Sequence, residues 1–236
     1  CADLTAKESA ELFGDDVLRT WRAQYGAFQC FDRLKYAGSL SDGDGLSQSY
    51  LFLATFIAGV QLTRAAIIRG FYIRAFALLR QEFEHASRIR LFRDAKYEIL
   101  PDGRFAGRKP PHPKPLDEVF GKLYGNLSEV AHVASVETMT YFGTVAVPNA
   151  PEIDGEGMLV PMLEPNYKPG TASSLMSLHM VLCGHVCQDL AAFAEKTGDH
   201  DTAVRIHKAN FIASKYMAEF SSRTKNIVND DGTQPE

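Results

Sequence analysis

Three spacings in this chain bring together groups that could do chemistry. The first is Arg80 and Glu84, one helical turn apart within Ile73 to Arg93, IRAFALLRQEFEHASRIRLFR. At about 100° per residue, Ile73, Phe76, Phe83, Ser87 and Leu91 share a face with this pair. Arg74, Gln81, Glu82 and His85 fall on the other side, toward water. A guanidinium and a carboxylate leave water only at high cost unless they pair and find further partners. The spacing therefore predicts a buried Arg80–Glu84 salt bridge that organises a site or fixes helix register.

The second spacing lies in Leu116 to Phe142, where Gly121, Gly125, Ser128, His132, Ser135, Val136 and Met139 share a helical face. Small residues permit close backbone approach, and His132 is the one titratable group among them. Packed against the Arg80 face, this stripe would unite Arg80, Glu84, Ser87, Ser128 and His132. A histidine beside a carboxylate can carry protons at neutral pH while an arginine holds an anion. The plainer reading is a histidine satisfied by one hydrogen bond that locks two helices together.

The third is His179-x3-Cys183-x-His185-x-Cys187. His179 and Cys187 are eight residues apart, about 12 Å along a helix, and cannot share one ion. His179 with Cys183 would need ligands from elsewhere. Cysteine on a helix as apolar as Leu175 to Phe193 is ordinarily packing, so no metal and no cofactor is expected. The chain also lacks a phosphate loop, a dinucleotide fingerprint, a Gly-x-Ser-x-Gly elbow and a His-Glu-x-x-His pair. That disfavours the common ATP, NAD, serine-hydrolase and zinc-protease chemistries.

Long helices must position these groups. Apolar periodicity predicts helices over Thr5–Tyr36 (interrupted at Gly14), Leu46–Arg69, Tyr72–Lys96, Leu116–Phe142, Thr171–Lys196 and His200–Val228. Pro101 to Pro115 holds five of the eleven prolines and four basic residues, and it reads as a basic loop. Val145 to Gly170 carries an Asp154-Gly155 turn between short apolar segments, as an acidic hairpin-like insertion would. The expected fold class is all-α: a bundle of about six long helices in a single domain over 1–228, with insertions at 100–115 and 145–170 and a flexible tail at 229–236.

The 236 residues, 45% hydrophobic and 23% charged, describe an ordinary globular chain. A net charge of −4 argues against indiscriminate polyanion binding. Locally the balance reverses. Arg64 to Arg93 contains seven arginines, no lysine, and only Glu82 and Glu84 as acids. Such a strip suits carboxylate or phosphate, or else it is a helix flank whose arginines pair with acids elsewhere. The longest apolar run, Tyr50 to Val60, is too short for a bilayer, and four cysteines are too few for a disulfide framework. A reducing cytoplasm and no membrane contact are expected.

Ala75-x-x-Leu78-Leu79-Arg80-x-x-x-Glu84, followed by Leu123-Tyr124-x-x-Leu127-Ser128-x-x-x-His132, resembles the HEPN-like helical proteins. It is most similar to prokaryotic relatives that pair an L-L-R helix with an L-S-x-x-x-H helix. The resemblance covers roughly Gly70 to Ser135. It implies a helical bundle, a homodimer, and a metal-independent ribonuclease or an RNA- or nucleotide-binding protein of toxin–antitoxin or phage-defence type, with an antitoxin-like protein as a further partner. Arg80 would hold phosphate, His132 would serve proton transfer, and Glu84 would orient Arg80. Arg80 and His85 also satisfy the family's Arg-to-His spacing, but on a straight helix they point about 140° apart. His85 and Ser128 are therefore second choices. The alternative is a non-catalytic dimerisation or protein-binding module in which the cluster is structural.

Overall fold

The computed structural model describes residues 2–34, 45–94, 144–146, 159–161 and 167–230. Five long helices dominate them: α1 (Ala2–Gln29), α2 (Leu46–Ile68), α3 (Tyr72–Arg93), α4 (Pro169–Lys196) and α5 (His200–Asp230). A 3-10 turn, Phe31–Arg33, follows α1. Two three-residue strands, β1 (Thr144–Ala146) and β2 (Leu159–Pro161), pair antiparallel with Val145 opposite Val160. The all-α class is as expected. The anticipated Leu116–Phe142 helix, with Ser128 and His132, lies outside the described residues, as does the basic loop 100–115.

α2 and α3 form an antiparallel hairpin, α5 returns along α1, and α4 touches all four other long helices. The chain reverses where glycine permits it. Gly70 has φ 73°, and Phe71 N–H donates to Ala66 O at 2.9 Å, which closes α2 with a left-handed cap. Gly198, at φ 81°, ends α4 in the same manner, with Asp199 N–H on Ala194 O at 2.8 Å. Asp199 then starts α5 by accepting from Thr202 N–H at 3.2 Å.

The interruption expected near Gly14 is a kink within α1, where Gly14 takes φ 62°. Such a break leaves carbonyls without their helical donors. Arg223 of α5 supplies replacements, donating from Nη1 to Leu12 O at 2.7 Å and from Nη2 to Phe13 O at 2.6 Å. Its Nε also reaches Asp16 Oδ2 at 3.2 Å. One side chain thus links the kink to α5, beside the Phe13–Phe220 ring contact.

α4 is the core helix. Leu175, Met176, Met180, Leu182, Val186, Leu190 and Phe193 are all buried, against Phe28 of α1, Phe56 of α2 and Phe83 of α3. By length and apolar composition α2 is sufficient to cross a bilayer, although 39% of its most apolar window is buried inside the bundle. The uninterrupted apolar run Tyr50–Val60 is shorter than this 18-residue window, which takes in Gln61 as well.

Candidate functional site: a sealed charge network and a half-exposed arginine ladder

Arg64 is the one charged residue of α2, and it is buried. Its Nε–H is directed at His179 Nε2 of α4, 3.3 Å away, and its Nη2 donates to Gln24 Oε1 of α1 at 3.4 Å. Gln24 Nε2 in turn donates to the Met180 carbonyl at 2.8 Å. The Arg64 guanidinium also lies over the Trp21 ring, 4.9 Å from its centroid. His179 Nδ1 meets Glu82 Oε2 of α3 at 2.9 Å, and Thr63 Oγ1 donates to Glu82 Oε1 at 2.7 Å. Cys183 Sγ completes the cluster, 3.7 Å from His179 Nε2. Four helices therefore contribute to one charge network that water does not reach.

Burial disfavours charge here, and the partners oppose it. Desolvation lowers the pKa of Arg64, against the pull of Cys183 and Glu82. Desolvation also works against an imidazolium at His179, but the Cys183 sulfur and the Glu82 carboxylate outweigh it and push the pKa up to about 10. Cys187, one turn further along α4, has its thiol pKa raised, chiefly by burial.

The placement of Glu82 overturns one expectation and that of the Arg80–Glu84 pair modifies another. Glu82, assigned to the watery side of α3, is buried. Arg80 and Glu84 do pair, at 3.4 Å, but each side chain keeps 26% of its exposure. The wheel placed one apolar stripe on α3, whereas the helix is buried on two sides. Phe83, Ser87 and Leu91 of the predicted face are buried, and so are Ala75, Leu79, Glu82, Ala86 and Ile89. The buried face, through Ala75, Leu79, Glu82, Phe83, Ala86 and Ile89, is rotated from the predicted one, whose Ile73 and Phe76 are only partly buried.

Glu84 faces a second arginine, Arg88 Nη2 at 3.9 Å, which makes an Arg80–Glu84–Arg88 ladder along α3. The Arg88 guanidinium lies 5.3 Å over Phe52, and His85 stands beside the same ring. Burial, followed by Arg88, lowers the pKa of His85. The other arginines of the strip divide. Arg90 Nε and Arg93 Nη1 hold the buried Asp189 Oδ1 at 3.2 and 2.6 Å, clamping α3 to α4, and Lys196 Nζ donates to the Arg93 carbonyl. Arg69 and Arg74 are exposed. Arg64, Arg90 and Arg93 of the expected anion-binding strip are therefore engaged in the interior, and the ladder lies nearer the surface.

Ser128 and His132 lie outside the described residues. Arg64, Glu82 and His179 were not grouped by sequence reasoning. The available signal was that Arg64 is the one charged residue between Leu46 and Ile68, and its partners proved to be His179 and Gln24. Among the described residues no group of three or more His, Cys, Asp or Glu is placed to hold a metal ion. No family model, curated protein or solved structure matches the chain.

Proposed function

We propose that the chain is an HEPN-like helical protein that binds RNA or a nucleotide through its phosphates, without a metal, at the α3 arginine ladder. The observation that supports this is Glu84 between two guanidiniums, 3.4 Å from Arg80 and 3.9 Å from Arg88. One carboxylate holds two permanent cations in place, on side chains that are each about a quarter exposed. A guanidinium held in position loses less side-chain entropy when it meets a phosphate oxygen. In this reading Arg80 contacts phosphate, Glu84 orients it, and His132 supplies proton transfer where RNA is cleaved. The buried Arg64–His179–Glu82 network ties α1, α2, α3 and α4 together and touches no substrate.

The test is the anisotropy of a labelled single-stranded RNA in EDTA. Wild-type protein binds, affinity falls as salt rises because phosphate contacts release counterions, and Arg80→Ala or Arg88→Ala weakens binding. Binding that is absent, or that requires Mg2+, refutes the proposal. One observation favours a second reading. The strongest charge network is closed to solvent, as in a non-catalytic module that acts by dimerising or by binding another protein. That reading predicts no RNA affinity and a stable dimer or protein complex.

A further inference from the structure

On α3, Arg80, Arg88, Arg90 and Arg93 each lie against a carboxylate. The exposed cations of α1 and α5 do not. Among the described residues, none of Arg19, Arg22, Arg205, Lys208 and Lys215 has an ion-pair partner, and all five are exposed. The chain has no acidic residue between Asp16 and Asp32, nor between Asp201 and Glu219. These two stretches lie side by side: the Arg19 guanidinium stands 5.3 Å over the Tyr216 ring, and Arg223 Nε reaches Asp16 at 3.2 Å. At the α4 edge, Glu195 is held by His207 at 3.4 Å. A chain of net charge −4 thus gathers unpaired positive charge on one two-helix face.

The same face exposes rings. Phe211 of α5 is 76% exposed, and Tyr25 of α1 is 50% exposed. Lys208 and Lys215 stand one turn before and one turn after Phe211, about 10 Å apart along the axis. Val204, Lys208, Phe211 and Lys215 fall within about 60° of the α5 circumference, so apolar and basic side chains alternate along one line. A helix lying on a bilayer separates the two kinds onto opposite sides. The centre of an interface between folded proteins is depleted of lysine. A single nucleic-acid strand presents phosphates and bases in alternation, which is the pattern this line matches.

We propose that the α1–α5 face binds single-stranded RNA, with a base stacked on Phe211, the neighbouring phosphates on Lys208 and Lys215, and Arg19 and Arg22 adding charge along α1. The ligand class rests on the RNA reading of the ladder. The residues do not, because α5 packs on α1 and α4 whereas the ladder belongs to α3, which packs on α2 and α4. Stacking and phosphate contacts accept any base, so a homopolymer is a sufficient probe.

The experiment titrates the intact chain into labelled oligo(U) in EDTA at several salt concentrations. It compares wild type with Phe211→Ala, the double variant Lys208→Gln/Lys215→Gln, and Arg80→Ala. Phe211→Ala is expected to weaken binding about tenfold through loss of one stacked base. The double variant is expected to lower the log–log salt slope by about 1.4, the value for two phosphates of a single strand. Phe211, Lys208 and Lys215 are exposed, so melting temperatures should match wild type. Unchanged affinity in Phe211→Ala, with a wild type that binds, overturns the α1–α5 face and leaves the ladder. Losses in the α5 variants with Arg80→Ala unaffected support the face and overturn the ladder instead. A wild type that binds no RNA overturns both, and sedimentation with phosphatidylglycerol vesicles in that case would assign the face to a lipid surface.

Discussion

Glu82 Oε2 and His179 Nδ1 lie 2.9 Å apart across the α3–α4 contact, both buried, with Thr63 and Arg64 of α2 completing the arrangement. Breaking a buried pair leaves an uncompensated charge, whereas breaking a half-exposed pair leaves one that water screens. Glu82→Gln is therefore expected to cost about 3–5 kcal/mol, and Glu84→Gln less than about 1 kcal/mol. Urea unfolding of the two variants measures the difference. Equal costs would mean that the α3–α4 network does not hold the bundle.

A turn residue offers a separate check on the α2–α3 hairpin. Gly45, just before α2, has φ 73°, and a Cβ added there would stand 2.5 Å from the Phe92 carbonyl oxygen. Gly45→Ala meets both a disfavoured backbone conformation and a backbone atom that cannot swing aside. It should destabilise the protein by about 2 kcal/mol or more, whereas Gly59→Ala, with nothing within 4 Å, should be neutral or stabilising. Thermal melts of the two variants compare them directly.

His85 gives the pH dependence. Burial and Arg88 hold its pKa below the ordinary value. In the unfolded chain it titrates near 6.5. Because the folded state binds that proton less readily, the stability this group contributes is present above about pH 6.5 and is lost as pH falls through the depressed folded value. Stability of wild type should drop more between pH 7 and 5 than that of His85→Gln. A parallel acid limb in the two proteins would contradict the assignment.

The sequence and the structure agree where local signals and packing agree. Gly14 read as an interruption, and the predicted end of the second helix at Arg69 falls where Gly70 takes φ 73°, because glycine adopts such angles at little cost. The Arg80–Glu84 contact was legible because residues four apart on a helix must meet. Which charge would be buried was not legible. It depended on α3 packing against α2 and α4 at the same time, a tertiary fact that periodicity along one helix does not carry. His179 drew notice as a metal ligand because its spacing to Cys183 is real. Its actual partners, Glu82 and Arg64, are 97 and 115 residues away in sequence.

The central claim is that this is a phosphate-handling protein that needs no metal. A gel assay with labelled RNA and excess EDTA tests it, comparing wild type with Arg80→Ala, His132→Ala and His85→Ala. Wild type is expected to bind or cleave, Arg80→Ala to lose binding, His132→Ala to lose any cleavage, and His85→Ala to retain both, because His85 packs beside Phe52. A folded wild-type protein that neither binds nor cleaves RNA would contradict it and leave the non-catalytic helical module.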